Sequence, residues 1–182
     1  MQHLGFFVIL FTILKLKMAS SKVLLGISCG DVNGVGIEIV IKAFLDGQLL
    51  KNGTPVLYAP CTIIEFYKKI LGYSQFHYNE VTTIEEVVSN QFNVISISFE
   101  DFIVSPGEES KLSGRLALKS LDCAIYDLKH NLIDILVTLP INKKTVSFFH
   151  KNFLGHTEYL LQNFNSRHNC LMFLRSDQLK VA

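Results

Sequence analysis

Two short stretches of this 182-residue chain combine glycine with side chains that can bind or activate a small molecule. The first is Gly30-Asp31-Val32-Asn33-Gly34-Val35-Gly36, with a carboxylate and a carboxamide set among three glycines. The second is Gly155-His156-Thr157-Glu158, where an imidazole and a hydroxyl stand at the predicted start of a helix. Such a start presents N–H groups that no earlier turn accepts, and it favours an anion. Imidazole, hydroxyl and backbone donors together suit a hydroxylated, phosphorylated or carboxylated small molecule. The plain alternative is that Thr157 only caps the helix and His156 is half exposed. Asn142 and Lys143 form a third candidate: the lysine could pair with an anionic substrate, or be an ordinary residue of an exposed first turn. Asp31 could equally be a turn carboxylate bonding its own backbone. His77, His130, His150 and His168 show no metal-ligand spacing and read as surface or boundary residues.

The elements that would position these residues alternate. Val23 to Ser28 reads as a buried strand leading into the glycine turn, and Ile37 to Leu45 as the helix that follows it. The turn is not a phosphate loop, because Gly36 is followed by Ile37-Glu38 rather than Lys-Ser/Thr. Nor is it a dinucleotide fingerprint, because position 39 is Ile39. Val56 to Ala59 is a second strand, and Cys61 to Leu71 a helix closed by Gly72. Phe76 to Thr83 and Phe92 to Phe99 read as further strands. A polar loop follows between Asp101 and Ser113, holding Pro106-Gly107-Glu108-Glu109-Ser110, of a length that is functional or a plain surface excursion. The spacing predicts a long helix from Ser113 to His130. Asp134 to Pro140, the most apolar strand, is expected at the centre of the sheet, buried on both faces, with Asn142 and Lys143 leaving its carboxyl end. The order predicts an α/β fold with a mostly parallel sheet and flanking helices.

A net charge of +1 gives no argument for nucleic acid or an anionic membrane surface. Cys29, Cys61, Cys123 and Cys170 are scattered, as expected for reduced thiols in a cytoplasmic protein rather than a zinc knot. Leu4 to Leu14 is apolar but too short for a bilayer, which needs about 20 residues. Residues 1–17 are therefore read as a leader outside the fold, with the folded part at 18–182 beginning near Met18 and no membrane partner.

Three stretches in register, Ile27 to Glu38, Leu136 to Lys143 and Leu154 to Leu160, resemble the amino-terminal half of the 4-hydroxythreonine-4-phosphate dehydrogenase family. The resemblance runs from about Lys22 to Ala182. It implies an isocitrate/isopropylmalate dehydrogenase-like fold with two lobes around a cleft, truncated here, and a homodimer that completes each site. It implies NAD- or NADP-dependent oxidation of 4-phosphooxy-L-threonine, a phosphorylated hydroxy amino acid, on the route to pyridoxal phosphate. The resemblance also implies a divalent metal such as zinc, magnesium or cobalt. His156 and Thr157 match the family's substrate-binding pair, and Asp31, Asn33, Asn142 and Lys143 fall on its active-site loops. The three metal histidines of the family find no match. The first is expected beyond a segment beginning Leu179-Lys180-Val181-Ala182, so this chain alone is expected to be inactive. Val32-Asn33 and Leu139-Pro140-Ile141-Asn142 depart from common family variants and suggest one branch of it. The competing readings are a related dehydrogenase of a phosphorylated four-carbon sugar acid, and a non-catalytic module that binds a phosphorylated ligand.

Overall fold

A computed structural model describes residues 10–12, 23–100, 102–164, 174–175 and 180–181. Its centre is a six-stranded sheet. The strands in chain order are β1 (Leu10–Thr12), β2 (Leu24–Ser28), β3 (Thr54–Ala59), β4 (Asn79–Val81), β5 (Asn93–Ser96) and β6 (Ile135–Thr138). In space they run β1-β6-β2-β3-β5-β4. β6, β2, β3, β5 and β4 are parallel, and β1 alone pairs antiparallel, with β6. The helices are α1 (Gly36–Phe44), α2 (Cys61–Leu71), α3 (Lys111–Lys129), α4 (Lys143–Ser147) and α5 (His156–Asn163). A two-stranded ribbon, β7 (Leu174–Arg175) with β8 (Lys180–Val181), follows. The predicted fold class is the one observed.

Strand and helix periods sort the core into two layers. Ile27, Leu57 and Val94 face one side, where α1 brings Ile37, Val40 and Ile41 and α2 brings Ile63, Ile64 and Tyr67. Val56, Tyr58 and Leu136 face the other, against Ala117, Leu121, Ala124 and Leu128 of α3 and Leu160 of α5. Each helix contributes residues three and four apart, the stripe that period 3.6 requires, and each fully buried aliphatic side chain contributes about 1.5–3 kcal/mol. α2 stops where predicted: Gly72 adopts φ 71° and its N–H reaches Lys68 O and Lys69 O.

Several boundaries differ from the sequence reading. α3 begins two residues earlier, at Lys111, because Ser110 accepts the Ser113 N–H and caps it. The strands expected over Phe76–Thr83 and Phe92–Phe99 shrink to β4 and β5. β6 is not central. It lies between β2 and the short β1, buries Leu136 and Thr138, and leaves Ile135 and Val137 half-buried. The strand buried at every position is β3, which has neighbours on both sides and helices on both faces. Of the leader, the structure describes only the backbone of Leu10–Thr12, paired to β6; the rest of it, His168, Cys170 and Leu179 lie outside the described residues. No helix among the described residues is long and apolar enough to cross a membrane.

The chain order creates one switch point. From β2 the chain moves through β3 towards β4 and β5, and α3 then returns it to the opposite side of β2 as β6. In such sheets the crevice outside the carboxyl ends of the two strands at the reversal is where ligands bind. Both predicted loops, after β2 and after β6, leave from there.

Candidate functional site

The loop after β2 is fastened to the loop after β6 by main-chain bonds. Leu139 N–H donates to Ser28 O (3.2 Å) and Asp31 N–H to Pro140 O (2.8 Å). Gly30 has φ 62°, and a Cβ there would stand 2.2 Å from Pro140 O, so only glycine permits this approach. Asp31 Oδ1 accepts the Asn33 N–H at 3.0 Å, the turn-carboxylate arrangement. Tyr67 of α2 donates its hydroxyl to Val32 O (2.7 Å) and Gly34 O (3.2 Å).

Asn33 is buried and its polar groups are all engaged. Its Oδ1 accepts from Ser105 N–H (3.0 Å), its Nδ2 donates to Glu108 O (3.0 Å), and its main-chain O accepts from Gly107 N–H (2.8 Å). The residue clamps the Pro106-Gly107 loop to the glycine turn. Glu109, in an ion pair with Lys144, ties the same loop to α4. Asp31 and Asn33 thus stand at the crevice, but their side chains shape it.

Asn142 is the N-cap of α4, its Oδ1 accepting from Lys144 N–H (3.0 Å) and Thr145 N–H (3.3 Å). This short helix was not expected from the sequence. It lies close against α3: a Cβ on Gly114 would meet Thr145 O at 2.5 Å. Lys143, on the exposed side of the first turn, reaches the start of α5, its Nζ 3.6 Å from where a Gly155 Cβ would be.

His156 and Thr157 open α5 after Gly155, which offers no side-chain cap. The first intrahelical bond is Tyr159 N–H to Gly155 O, so the N–H groups of His156, Thr157 and Glu158 have no partner within the helix. Thr157 is half-buried and is not the cap. His156 is half-buried as a residue, as the plain alternative has it, but its two ring ends differ. Its Nε2 is buried without a hydrogen-bond partner among the described residues, and its ring meets Phe153 edge-on at 6.2 Å. Burial first, and the Lys143 ammonium second, push the imidazole pKa down to about 4. At neutral pH the ring is uncharged and can donate or accept one further hydrogen bond.

His77 and His130 are exposed, as predicted. His150 is half-buried, a boundary residue as predicted; its Nδ1 is buried without a partner among the described residues and its ring lies edge-on to Tyr159 at 5.2 Å. Ser28, at the end of β2, carries a third orphaned atom, its Oγ. No pattern in the sequence marks either. Among the described residues no group of three or more His, Cys, Asp or Glu side chains could hold a metal ion. This donor set does not fit a resident metal.

The family described as "Pyridoxal phosphate biosynthetic protein PdxA" matches residues 51–182. A 4-hydroxythreonine-4-phosphate dehydrogenase of Bacteroides thetaiotaomicron is 33% identical over 165 residues, which are 91% of this chain and 45% of that protein. A protein of Oceanobacillus iheyensis, provisionally named a D-threonate 4-phosphate dehydrogenase, is 31% identical over 165 residues, 89% of this chain and 49% of its own. The crystal structure of a 4-hydroxythreonine-4-phosphate dehydrogenase from Burkholderia phymatum shares the fold, with a TM-score of 0.79 at 23% identity over 88% of this chain and 49% of that one. The chain spans about half the length of the curated relatives it matches.

Proposed function

The chain belongs to the PdxA family of pyridoxal phosphate biosynthetic proteins, and on that premise we propose that it forms the substrate-binding side of a dehydrogenase site for 4-phosphooxy-L-threonine. In this reading the longer protein oxidises the C3 hydroxyl with NAD or NADP, giving 2-amino-3-oxo-4-phosphooxybutanoate, and acts as a cytoplasmic homodimer.

The observation that carries the reading is the environment of His156. A half-buried imidazole, uncharged at neutral pH and with an unpartnered Nε2, stands near the Lys143 ammonium on the first turn of α5. Ammonium, unpartnered helix N–H groups and imidazole together favour a ligand bearing an anionic phosphate next to a hydroxyl. His156 would orient the ligand through Nε2, and Thr157 would add a hydroxyl from the same turn. Burial first and Lys143 second keep the imidazole uncharged, so it serves as a hydrogen-bonding group rather than a second cation.

A divalent metal, once bound, would polarise the alcohol and the incipient ketone. The described donor set does not supply its ligands, so metal and nicotinamide contacts are assigned to the remainder of the longer family chain. The test is titration of this chain with 4-phosphooxy-L-threonine without metal, followed by the His156 ring resonances in NMR spectra. Saturable shifts in those resonances, absent in His156→Asn, are expected; a ligand that leaves them unmoved would sink the reading. The 31% identity to the Oceanobacillus relative favours, as a second reading, a phosphorylated four-carbon sugar acid. Comparing the 4-phosphates of D-threonate and L-threonine's hydroxylated analogue in the same titration separates the two.

A further inference from the structure

α5 is eight residues long and its cap supplies no side chain, yet its first turn carries both His156 and Thr157. Something outside the helix must hold that turn. Tyr159 lies three residues beyond His156, on an adjacent part of the helix surface. Its ring is buried against Phe153 and edge-on to His150, and its hydroxyl donates to Asp122 Oδ1 at 2.5 Å. Asp122 belongs to α3, whose own position is set by hydrogen bonds: Ser120 Oγ donates to Tyr58 O (2.6 Å) and accepts from Cys29 N–H (2.9 Å). A continuous set of directional contacts therefore runs from the start of the glycine turn, through α3, to the first turn of α5.

We propose that Tyr159 and Asp122 are positioning residues for the His156–Thr157 pair, their hydroxyl–carboxylate bond fixing where the imidazole stands relative to Lys143. Packing alone would be satisfied by phenylalanine, which fills the same space. The hydroxyl adds direction, because its partner must lie in line with the O–H bond. Burial holds the Asp122 carboxyl above the ordinary carboxylate range, while the Tyr159 bond and nearby His150 and Lys129 work against that rise. The contact is thus a partly desolvated, charge-assisted bond rather than a surface ornament. The inference rests on the proposed ligand role of His156 and Thr157 only for the second of the two readouts below.

The experiment uses the 182-residue chain with labelled histidine, as wild type, Y159F, D122A and D122N. The His156 ring signals are assigned by their absence in H156N. In the ligand-free protein, Y159F and D122A should shift and broaden the His156 signals, while D122N, which still accepts from the hydroxyl, restores them. In the second readout, affinity for 4-phosphooxy-L-threonine should fall about tenfold in Y159F and in D122A and hold in D122N. A role in stability alone would lower the melting temperature and leave the His156 signals in place, and that result in Y159F overturns the proposal. Failure of D122N to restore the signals overturns it as well. If the wild type binds no phosphate ester, the ligand reading fails, and the ligand-free signals still decide the positioning role. Should D122A not fold, Y159F, which keeps the ring and its packing, decides.

Discussion

The two glycine-bearing turns that lead into helices look alike in sequence and differ in how their polar groups are used. In the β2–α1 turn Asp31 bonds its own loop, Asn33 clamps residues 105–108, and Tyr67 takes two of the turn's carbonyls. At the start of α5 the His156 Nε2 and three main-chain N–H groups have no protein partner in the helix or around it, among the described residues. The polar groups of the first turn are spent on architecture; those of the second are unspent, and in the proposed reading they meet the ligand. A buried polar atom without a partner costs about 1–3 kcal/mol, so this turn carries a cost that the β2–α1 turn does not.

The largest test of this contrast is Gly30→Ala. A Cβ at φ 62° that also lies 2.2 Å from Pro140 O forces the β2 and β6 loops apart, and unfolding by urea should show a loss of about 3 kcal/mol or more. His156 gives the next effect, through pH. Its folded pKa of about 4 lies below the ordinary 6.5, so its contribution is fully present above pH 6.5 and is lost as pH falls through 4. About 2–3 kcal/mol of stability should disappear across that window, and H156N should lack this part of the acid sensitivity. If the two proteins lose stability in parallel from pH 6.5 to 4, the uncharged imidazole is wrong. Asn33→Ala should cost about 2 kcal/mol and raise amide exchange at Ser105 and Gly107, with little change in the His156 ring signals. Movement of those signals in N33A would merge the two regions into one unit.

The layers of the fold were legible because strand and helix periods are local. Ile37, Val40 and Ile41, or Ile63, Ile64 and Tyr67, announce a buried stripe without knowledge of what covers it. The rank of the strands was not legible. The apolar run of Ile135 to Val137 reports avoidance of water, while centrality depends on neighbours, and it is Thr54–Ala59 that has them on both sides. The position of the candidate site could be read from glycine placement at strand ends. The division of labour within it could not, because the partners of Asn33 lie 72 and 75 residues away and Asp122 is 37 residues from Tyr159. α4 escaped notice since five residues hold too little periodicity, although Asn142 just before Lys143-Lys144 was its one signal.

Asn142 stands between the two regions and gives the finest test. Its Oδ1 is shared by the Lys144 and Thr145 N–H groups, so Asn142→Ala should lower stability by about 1 kcal/mol. Asn142→Asp keeps the acceptor and adds a negative charge at a helix N-terminus, so stability should hold within a few tenths of a kcal/mol. That same charge sits next to Lys143 and opposes an incoming phosphate, so the affinity for 4-phosphooxy-L-threonine should fall in the aspartate variant more than in the alanine one. A pure cap produces this crossed pattern, with stability following the acceptor and binding following the charge. If N142A instead leaves urea unfolding unchanged and weakens binding, the carboxamide reaches the ligand itself, and Asn142 joins His156 among the open groups.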